Sequence, residues 1–154
     1  MASPQSPQAR AAADKYLETK VMSASPSELR LMLLDGAIKF CRQGREGLAS
    51  AQYEAMYNGF TRTRAILVEL MSTMKPEPDR QLYDRLYALY TFLITHLLEA
   101  SLEKNVAKVD RVIELLQFDR ETWVMCMERA AAEQRGGAPA AAPAPTPMGE
   151  AISV

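Results

Sequence analysis

The spacing of apolar residues is the feature that most constrains the fold of this chain. From Leu29 to Met127 apolar side chains recur three or four positions apart, and no segment alternates apolar and polar residues as a half-buried strand would. This period places the apolar residues on one side of successive helices. Between Lys75 and Asp79 the pattern stops, because the two prolines there cannot continue a helix. The sequence therefore predicts an all-α protein.

A helix-start signal stands near the beginning of this pattern. Ser25 is suited to be an N-cap, Pro26 suits the first helical position, and Glu28 falls where its carboxylate can reach back to the N-cap amide. These residues predict a capping box and the start of a long helix. The segment before them, which contains Tyr16 and Val21, is cut off from that helix and can fold over it as a separate arm.

The apolar period and the candidate caps together predict five helices. A short first helix is expected at about 9 to 22, and longer ones at about 26 to 47, 51 to 74, 80 to 103 and 106 to 132. Ser50, Asp79 and Asn105 are the candidate caps of the last three. Long helices joined by short connections pack most simply as antiparallel neighbours. We therefore predict an antiparallel up-down four-helix bundle with a short additional N-terminal helix or arm.

Three glycines interrupt the predicted second helix, at Gly36, Gly44 and Gly47. Each glycine in a helix interior costs about 1 kcal/mol relative to alanine. We expect this loss to be offset by the close approach of another helix backbone.

The two ends of the chain differ in composition from its helical part. Residues 1–8 are polar and contain two prolines, and residues 134–154 are rich in alanine and proline. Such segments cannot bury enough apolar surface to fold, so we predict both to be disordered. The bundle is expected to span residues 9–133 as the one domain of this 154-residue chain.

Charge and hydropathy argue against nucleic-acid and membrane functions. The chain carries 18 basic and 19 acidic residues, so its net charge is close to zero and we expect no nucleic-acid partner. No apolar run is long enough to span a membrane, and no secretory leader is recognisable. We therefore expect no membrane insertion and a cytoplasmic location.

The chain also offers few groups for catalysis. His96 is the only histidine, and no phosphate-binding loop or nucleophile motif occurs. Cys41 and Cys126 lie far apart in apolar patterns that fit no metal-binding spacing, and we expect both to be buried, reduced thiols. We assign no catalytic residue, no metal site and no cofactor, and we predict that the protein is not an enzyme.

Flexible apolar side chains are what the sequence has in excess. It contains nine methionines and six tyrosines, and the predicted fourth helix carries two neighbouring apolar stripes where one buried face needs only one. Methionine is common at surfaces that adapt to a partner. The residues alone thus predict a helical bundle that binds amphipathic helices of another chain in apolar grooves.

Three longer motifs stand out in the helical part of the chain. The first is Tyr16-x4-Val21-x-Ser23-Ala24-Ser25-Pro26-x-Glu28-Leu29-x2-Met32-Leu33-x-Asp35-Gly36-Ala37-Ile38-Lys39-Phe40. The second is Leu89-Tyr90-x-Phe92-Leu93-Ile94-x2-Leu97-Leu98-Glu99-Ala100-Ser101-Leu102. The third is Leu115-Leu116-x3-Arg120-Glu121-Thr122-Trp123. Together these motifs resemble, in their order and spacing, those of the flagellar secretion chaperone family, FliS, and the resemblance covers roughly residues 14 to 130.

The resemblance implies a cytoplasmic export chaperone. Such a protein binds the C-terminal region of flagellin, prevents its premature polymerisation and delivers it to the cytoplasmic domain of the flagellar export gate. Tyr16 and Val21 fall on the family's N-terminal arm, which can lie across a groove that the cargo also uses. A FliS-like co-chaperone or regulator that binds a different helical protein is the alternative, and a weak homodimer through the same apolar surface stays open.

We assign the flagellin-binding groove to residues in apolar stripes wider than a core requires. They are Ile38, Met56, Phe60, Tyr90, Ile94 and Leu98. Core filling is the alternative interpretation for each of these residues.

Overall fold

A computed structural model describes residues 6–136 of the chain. Within that range it contains five α-helices and no strand: α1 (Pro7–Ser23), α2 (Pro26–Ala49), α3 (Tyr53–Thr73), α4 (Arg80–Glu103) and α5 (Val106–Gly136). The prediction of an all-α fold is confirmed. Helix α1 includes the last two residues of the N-terminal segment predicted to be disordered, and α5 continues three residues past 133, so both predicted boundaries are displaced. Residues 1–5 and 137–154 lie outside the described range.

Side-chain caps explain where α2, α4 and α5 begin. The Glu28 amide donates to Ser25 Oγ over 3.2 Å, and the Ser25 amide donates to the Glu28 carboxylate over 3.3 Å, which completes the predicted capping box of α2. Asp79 and Asn105 each accept a hydrogen bond from an amide in the first turn of α4 and α5, as predicted.

The prediction that Ser50 caps α3 is wrong. Its amide and its hydroxyl both donate to the Glu46 carbonyl oxygen, over 3.0 and 2.7 Å, so it ends α2. Helix α3 begins at Tyr53 without a side-chain cap. A serine between two helices can serve either one, and here the free carbonyl groups at the end of α2 compete successfully.

Helices α2 and α3 are antiparallel and pack with their backbones close together. A Cβ atom at Gly59 would lie 2.5 Å from the Gly44 nitrogen, and one at Gly47 would lie 2.5 Å from the Met56 nitrogen. Residue numbers that increase along α2 are thus paired with residue numbers that decrease along α3, as in antiparallel helices. The predicted close approach is confirmed at Gly44 and Gly47, whereas a Cβ at Gly36 would meet only a side chain.

Helix α5 returns beside both α4 and α2. The Tyr90 hydroxyl donates to Asp119 over 2.6 Å while Lys108 donates to Glu99 over 2.9 Å, so α4 and α5 are antiparallel. Ion pairs of Arg45 with Asp110 and of Arg120 with Asp35 show the same relation between α5 and α2. Residues of α3 and α4 line common grooves in antiparallel order. The four long helices therefore form the predicted up-down bundle.

The described part of the chain divides into two compact units within α5, the first ending at Arg120 and the second beginning at Glu121. The bundle core belongs to the first unit. Its fully buried apolar side chains come from all four long helices and include Leu34, Cys41, Leu67, Leu93 and Leu116. On α5, Val109, Val112 and Ile113 are buried as well.

The second unit is the C-terminal part of α5, and it buries no residue in its described range. Trp123 and Met127, which continue the apolar pattern of α5, are half-buried. Cys126 is exposed, so the prediction of two buried thiols is wrong for this residue and right for Cys41. An apolar pattern places residues on one side of a helix but does not supply the neighbour that would bury them.

Candidate helix-binding groove

An apolar groove follows the outer seam between α3 and α4. It has two segments, of about 430 Å³ and about 250 Å³, which share Ile94 and are named here the Tyr87 segment and the Phe60 segment. The Tyr87 segment is lined by Val68, Met71, Ser72, Tyr87, Thr91, Ile94 and Thr95. The Phe60 segment is lined by Tyr57, Phe60, Thr61, Arg64, Ile94, Leu97, Leu98 and Ser101.

Helical periodicity explains why these residues form one groove. On α3 the lining positions from Tyr57 to Ser72 recur every three or four residues, and so do those on α4. They therefore form a continuous face on each helix. At a rise of 1.5 Å per residue the α3 face is roughly 22 Å long, which matches about four turns of a bound helix.

The rim of the groove exposes large apolar side chains. Tyr57, Val68, Tyr87 and Leu98 have 52, 52, 45 and 57% of their surfaces exposed. Single exposed apolar residues are common on proteins, but a contiguous set along one seam is typical of an interaction surface. Burial of this rim by a partner would be favourable by about 25 cal/mol for each Å² of apolar surface.

The structure brings together three of the six predicted groove residues. Phe60, Ile94 and Leu98 all line the Phe60 segment, although Phe60 has only 6% of its surface exposed. Ile94 also lines the Tyr87 segment, and it therefore lies at the centre of the groove.

The other three predicted groove residues do not line either segment. Met56 and Tyr90 are fully buried, so they belong to the core and we remove them from the proposed binding surface. Ile38 lies on α2 with 6% of its surface exposed. The apolar stripes of α3 and α4 are wide because they serve two surfaces, and Met56 and Tyr90 lie on the internal one.

Tyr90 has a specific internal role. Its hydroxyl donates to Asp119 Oδ2 over 2.6 Å and accepts from Arg30, so it links α4 to α5 and α2. Burial and the neighbouring Asp119 carboxylate raise the pKa of Tyr90, whereas Arg30 lowers it. This polar group is thus satisfied inside the bundle and is not available to a partner.

Two cations lie beside the Phe60 segment, and the sequence analysis did not identify them. Arg64 lines the Phe60 segment. Lys104, the left-handed residue that ends α4, places its Nζ 5.4 Å from the centre of the Tyr57 ring and 4.8 Å from that of Tyr53. The same Nζ donates to the Ser101 carbonyl oxygen over 2.9 Å. Basic residues at helix ends are common, so the sequence pattern alone gave no signal for this cluster.

Comparison with known proteins identifies the family. The family described as Flagellar protein FliS matches residues 8–130 of the chain. The chain belongs to the FliS family. The resemblance found in the three sequence motifs is thereby confirmed.

Several relatives of this FliS-family chain carry the name Flagellar secretion chaperone FliS. The protein of Campylobacter jejuni is 30% identical over 108 residues, which are 70% of this chain and 84% of the relative. The protein of Salmonella typhimurium is 29% identical over 128 residues, 81% of this chain and 93% of the relative. The protein of Escherichia coli is 30% identical over 110 residues, 70% and 79% of the two chains.

A solved structure has the same fold. It is described as the crystal structure of a flagellar chaperone from bacteria and superposes with a TM-score of 0.63 at 19% identity, covering 77% of this chain and 97% of its own. The helical bundle is therefore an architecture found in a flagellar chaperone.

Two further observations apply to residues 6–136 of this FliS-family chain. No group of three or more His, Cys, Asp or Glu side chains in that range is arranged to hold a metal ion. None of the helices in the same range has the length and hydropathy needed to cross a membrane.

Proposed function

We propose that this FliS-family chain binds the C-terminal region of flagellin along the α3–α4 groove. In this way it prevents premature polymerisation of flagellin in the cytoplasm and delivers it to the cytoplasmic domain of the flagellar export gate. The observation that carries the proposal is the roughly 22 Å apolar seam with its exposed rim. The names of the relatives support the choice of a flagellar secretion substrate. The role requires no catalytic residue, cofactor or metal.

The groove suits a segment that becomes helical on binding. An amphipathic helix of about four turns can place residues at i, i+3, i+4 and i+7 against the rim side chains of α3 and α4. A segment that is disordered when free loses conformational entropy as it binds, which lowers the affinity obtained from a given area. This lower affinity makes it easier for a chaperone to release its cargo.

We include α1 in the proposal as a mobile cover. The helix buries none of its residues, and Tyr16 and Val21 are 66 and 42% exposed. It is joined to α2 by Ala24 and Ser25 alone and is about 25 Å long, so by turning about this link it can reach apolar surface well beyond the beginning of α2 without unwinding. The proposal is that α1 covers apolar surface of the free protein and that flagellin displaces it.

The experiment that tests the proposal is calorimetric titration with the C-terminal segment of flagellin from the same organism. We expect saturable one-to-one binding and, in circular dichroism, helicity of the mixture above the sum of its parts. Leu98→Ala should weaken binding, whereas Phe92→Ala should not, because Phe92 lies on the same helix with 46% exposure but lines neither groove segment.

Two results would contradict the proposal. Absence of binding by the wild-type protein would favour a FliS-like co-chaperone or regulator with a different helical partner. Equal weakening by Leu98→Ala and Phe92→Ala would remove the α3–α4 groove as the flagellin site.

A further inference from the structure

The Tyr90 hydroxyl joins three helices through a buried polar network. It accepts a hydrogen bond from Arg30 of α2 and donates one to Asp119 Oδ2 of α5 over 2.6 Å. Tyr90 is fully buried, and Asp119 is 8% exposed. A guanidinium group can only donate hydrogen bonds and a carboxylate accepts them, so the hydroxyl is held from both sides. These three residues are named here the Tyr90 network.

Apolar packing alone does not fix the rotation of α4 about its own axis. The helix carries two neighbouring apolar stripes, in which Ile94 and Leu98 of one directly follow Leu93 and Leu97 of the other. Successive residues of an α-helix differ by about 100° around the axis and by about 1.5 Å along it. A turn of α4 by one such step would therefore bring Ile94 and Leu98 to the places of Leu93 and Leu97. Hydrophobic contacts are not directional, so they distinguish poorly between the two orientations.

The turned orientation would destroy the α3–α4 groove. Ile94 and Leu98 line the groove in the structure, whereas Leu93 is fully buried in the core. After the turn, Ile94 and Leu98 would face the core and could no longer contact a bound helix. The rotation of α4 therefore determines whether the binding surface exists.

The Tyr90 network distinguishes the two orientations. Hydrogen bonds depend on both distance and angle, so those of Tyr90 are lost when the helix turns. Thr91 would then take the place of Tyr90, and its hydroxyl lies too close to the backbone to reach both Arg30 and Asp119. The buried carboxylate would lose its donor, which is costly. The ion pairs of Lys108 with glutamates near the end of α4 would also be lost, but they are exposed to solvent and such pairs contribute little.

We propose that the Tyr90 network selects the orientation of α4 and thereby keeps the α3–α4 groove in the single form that binds an amphipathic helix. Its members are positioning residues, because they do not themselves line the groove. This inference rests on the proposed function, since it specifies how the flagellin-binding surface is maintained. A buried polar network of this kind adds little net stability but specifies one arrangement among apolar alternatives.

A variant with an entirely apolar network separates orientation from stability. It combines Arg30→Met, Tyr90→Phe and Asp119→Leu, which removes the three polar groups together. Tyr90→Phe alone is the second variant, because it keeps the ring and removes only the hydroxyl. Leu93→Met is the matched control, since it changes a fully buried residue of α4 at similar volume and keeps the network. Each full-length protein is studied by methyl NMR without ligand, by urea unfolding and by titration with the C-terminal segment of flagellin.

We expect one set of Ile94 and Leu98 methyl resonances in the wild-type protein and in Leu93→Met. Both network variants should show a second set, with nuclear Overhauser contacts to the buried Leu116 of α5. The urea midpoint of the triple variant should lie at or above that of wild type, because its apolar side chains leave no member of the network unpaired. Flagellin should bind this variant more weakly in proportion to the fraction of molecules in the wild-type orientation, roughly threefold to tenfold.

The outcomes separate this inference from the proposed function. A single, wild-type set of resonances in both network variants would overturn the inference, and so would wild-type affinity in a triple variant that shows two sets. A triple variant that fails to fold would also overturn it, because the network would then supply stability rather than orientation. If the wild-type protein does not bind flagellin, the proposed function fails, while the resonances of the ligand-free proteins still decide whether the network orients α4.

Discussion

Gly59→Ala tests the packing of α2 against α3 most sharply. A Cβ atom at this position would lie 2.5 Å from the Gly44 nitrogen and 2.6 Å from both the Gly44 Cα and the Phe40 carbonyl oxygen. All three neighbours are backbone atoms, so a helix must move to admit the methyl group. Alanine is favoured over glycine in a helix by about 1 kcal/mol, but overpacking typically costs 1–3 kcal/mol. Taking the upper end for a backbone clash, we expect a net loss of about 2 kcal/mol.

Thermal unfolding followed by circular dichroism measures this loss. In a chain of this size a change of 1 kcal/mol shifts Tm by about 2–4 °C, so Gly59→Ala should melt roughly 4–8 °C below wild type. Gly36→Ala is the matched control, because its Cβ would meet only the end of the Ile66 side chain at 3.2 Å. We expect Gly36→Ala to be as stable as wild type or up to about 1 kcal/mol more stable. A Tm for Gly59→Ala at or above that of wild type would refute the argument.

Three further predictions concern the core, the groove and the thiols. Leu93→Ala, at a fully buried position, should lower the free energy of unfolding in urea by about 2–5 kcal/mol, whereas Leu98→Ala should change it by less than about 1 kcal/mol. Because Leu98 is 57% exposed, its burial by flagellin is worth about 1–1.7 kcal/mol. The Leu98→Ala change should therefore weaken binding roughly fivefold to fifteenfold in calorimetry. If Leu98→Ala lowered stability without weakening binding, Leu98 would not belong to the groove. Tyr90→Phe should cost about 1–3 kcal/mol in the same melts, because the buried Asp119 carboxylate loses its hydroxyl donor; a neutral result would show that the hydrogen bond carries no net stability. Finally, a thiol reagent should modify Cys126 alone in the native protein and both cysteines in denaturant, because burial raises the pKa of the other thiol to about 12; rapid native modification of two thiols would contradict this.

The elements of the fold that depend on local signals could be predicted from the sequence. The capping box at Ser25 and the cap at Asp79 act through residues three positions away, and the apolar period of α5 identifies Val109 and Leu116 as core. The close approach at Gly44 could also be inferred, since a helix tolerates an interior glycine only with compensation. Such signals involve neighbours in the chain and need no knowledge of the other helices.

The division between core and groove could not be predicted in the same way. Helix α4 carries apolar residues on two adjacent faces, and the position of α3 and α5 decides which face is internal. Tyr90 and Leu98 belong to the same stripe, yet one is fully buried and the other is 57% exposed. The groups that hold Tyr90 inside are Arg30 and Asp119, which are 60 and 29 positions away. Contacts between residues so far apart in the sequence do not affect the spacing of apolar residues within one helix, so that spacing cannot reveal them.

The most direct test of the central claim is methyl NMR of the protein during titration with the C-terminal segment of flagellin. The account predicts saturable shifts for the methyl groups of Val68, Ile94 and Leu98 on the α3–α4 seam. Those of Leu48 and Val109, which are buried away from it, should stay nearly unchanged. Shifts confined to other helices, with the seam unaffected, would contradict the assignment of this groove to flagellin.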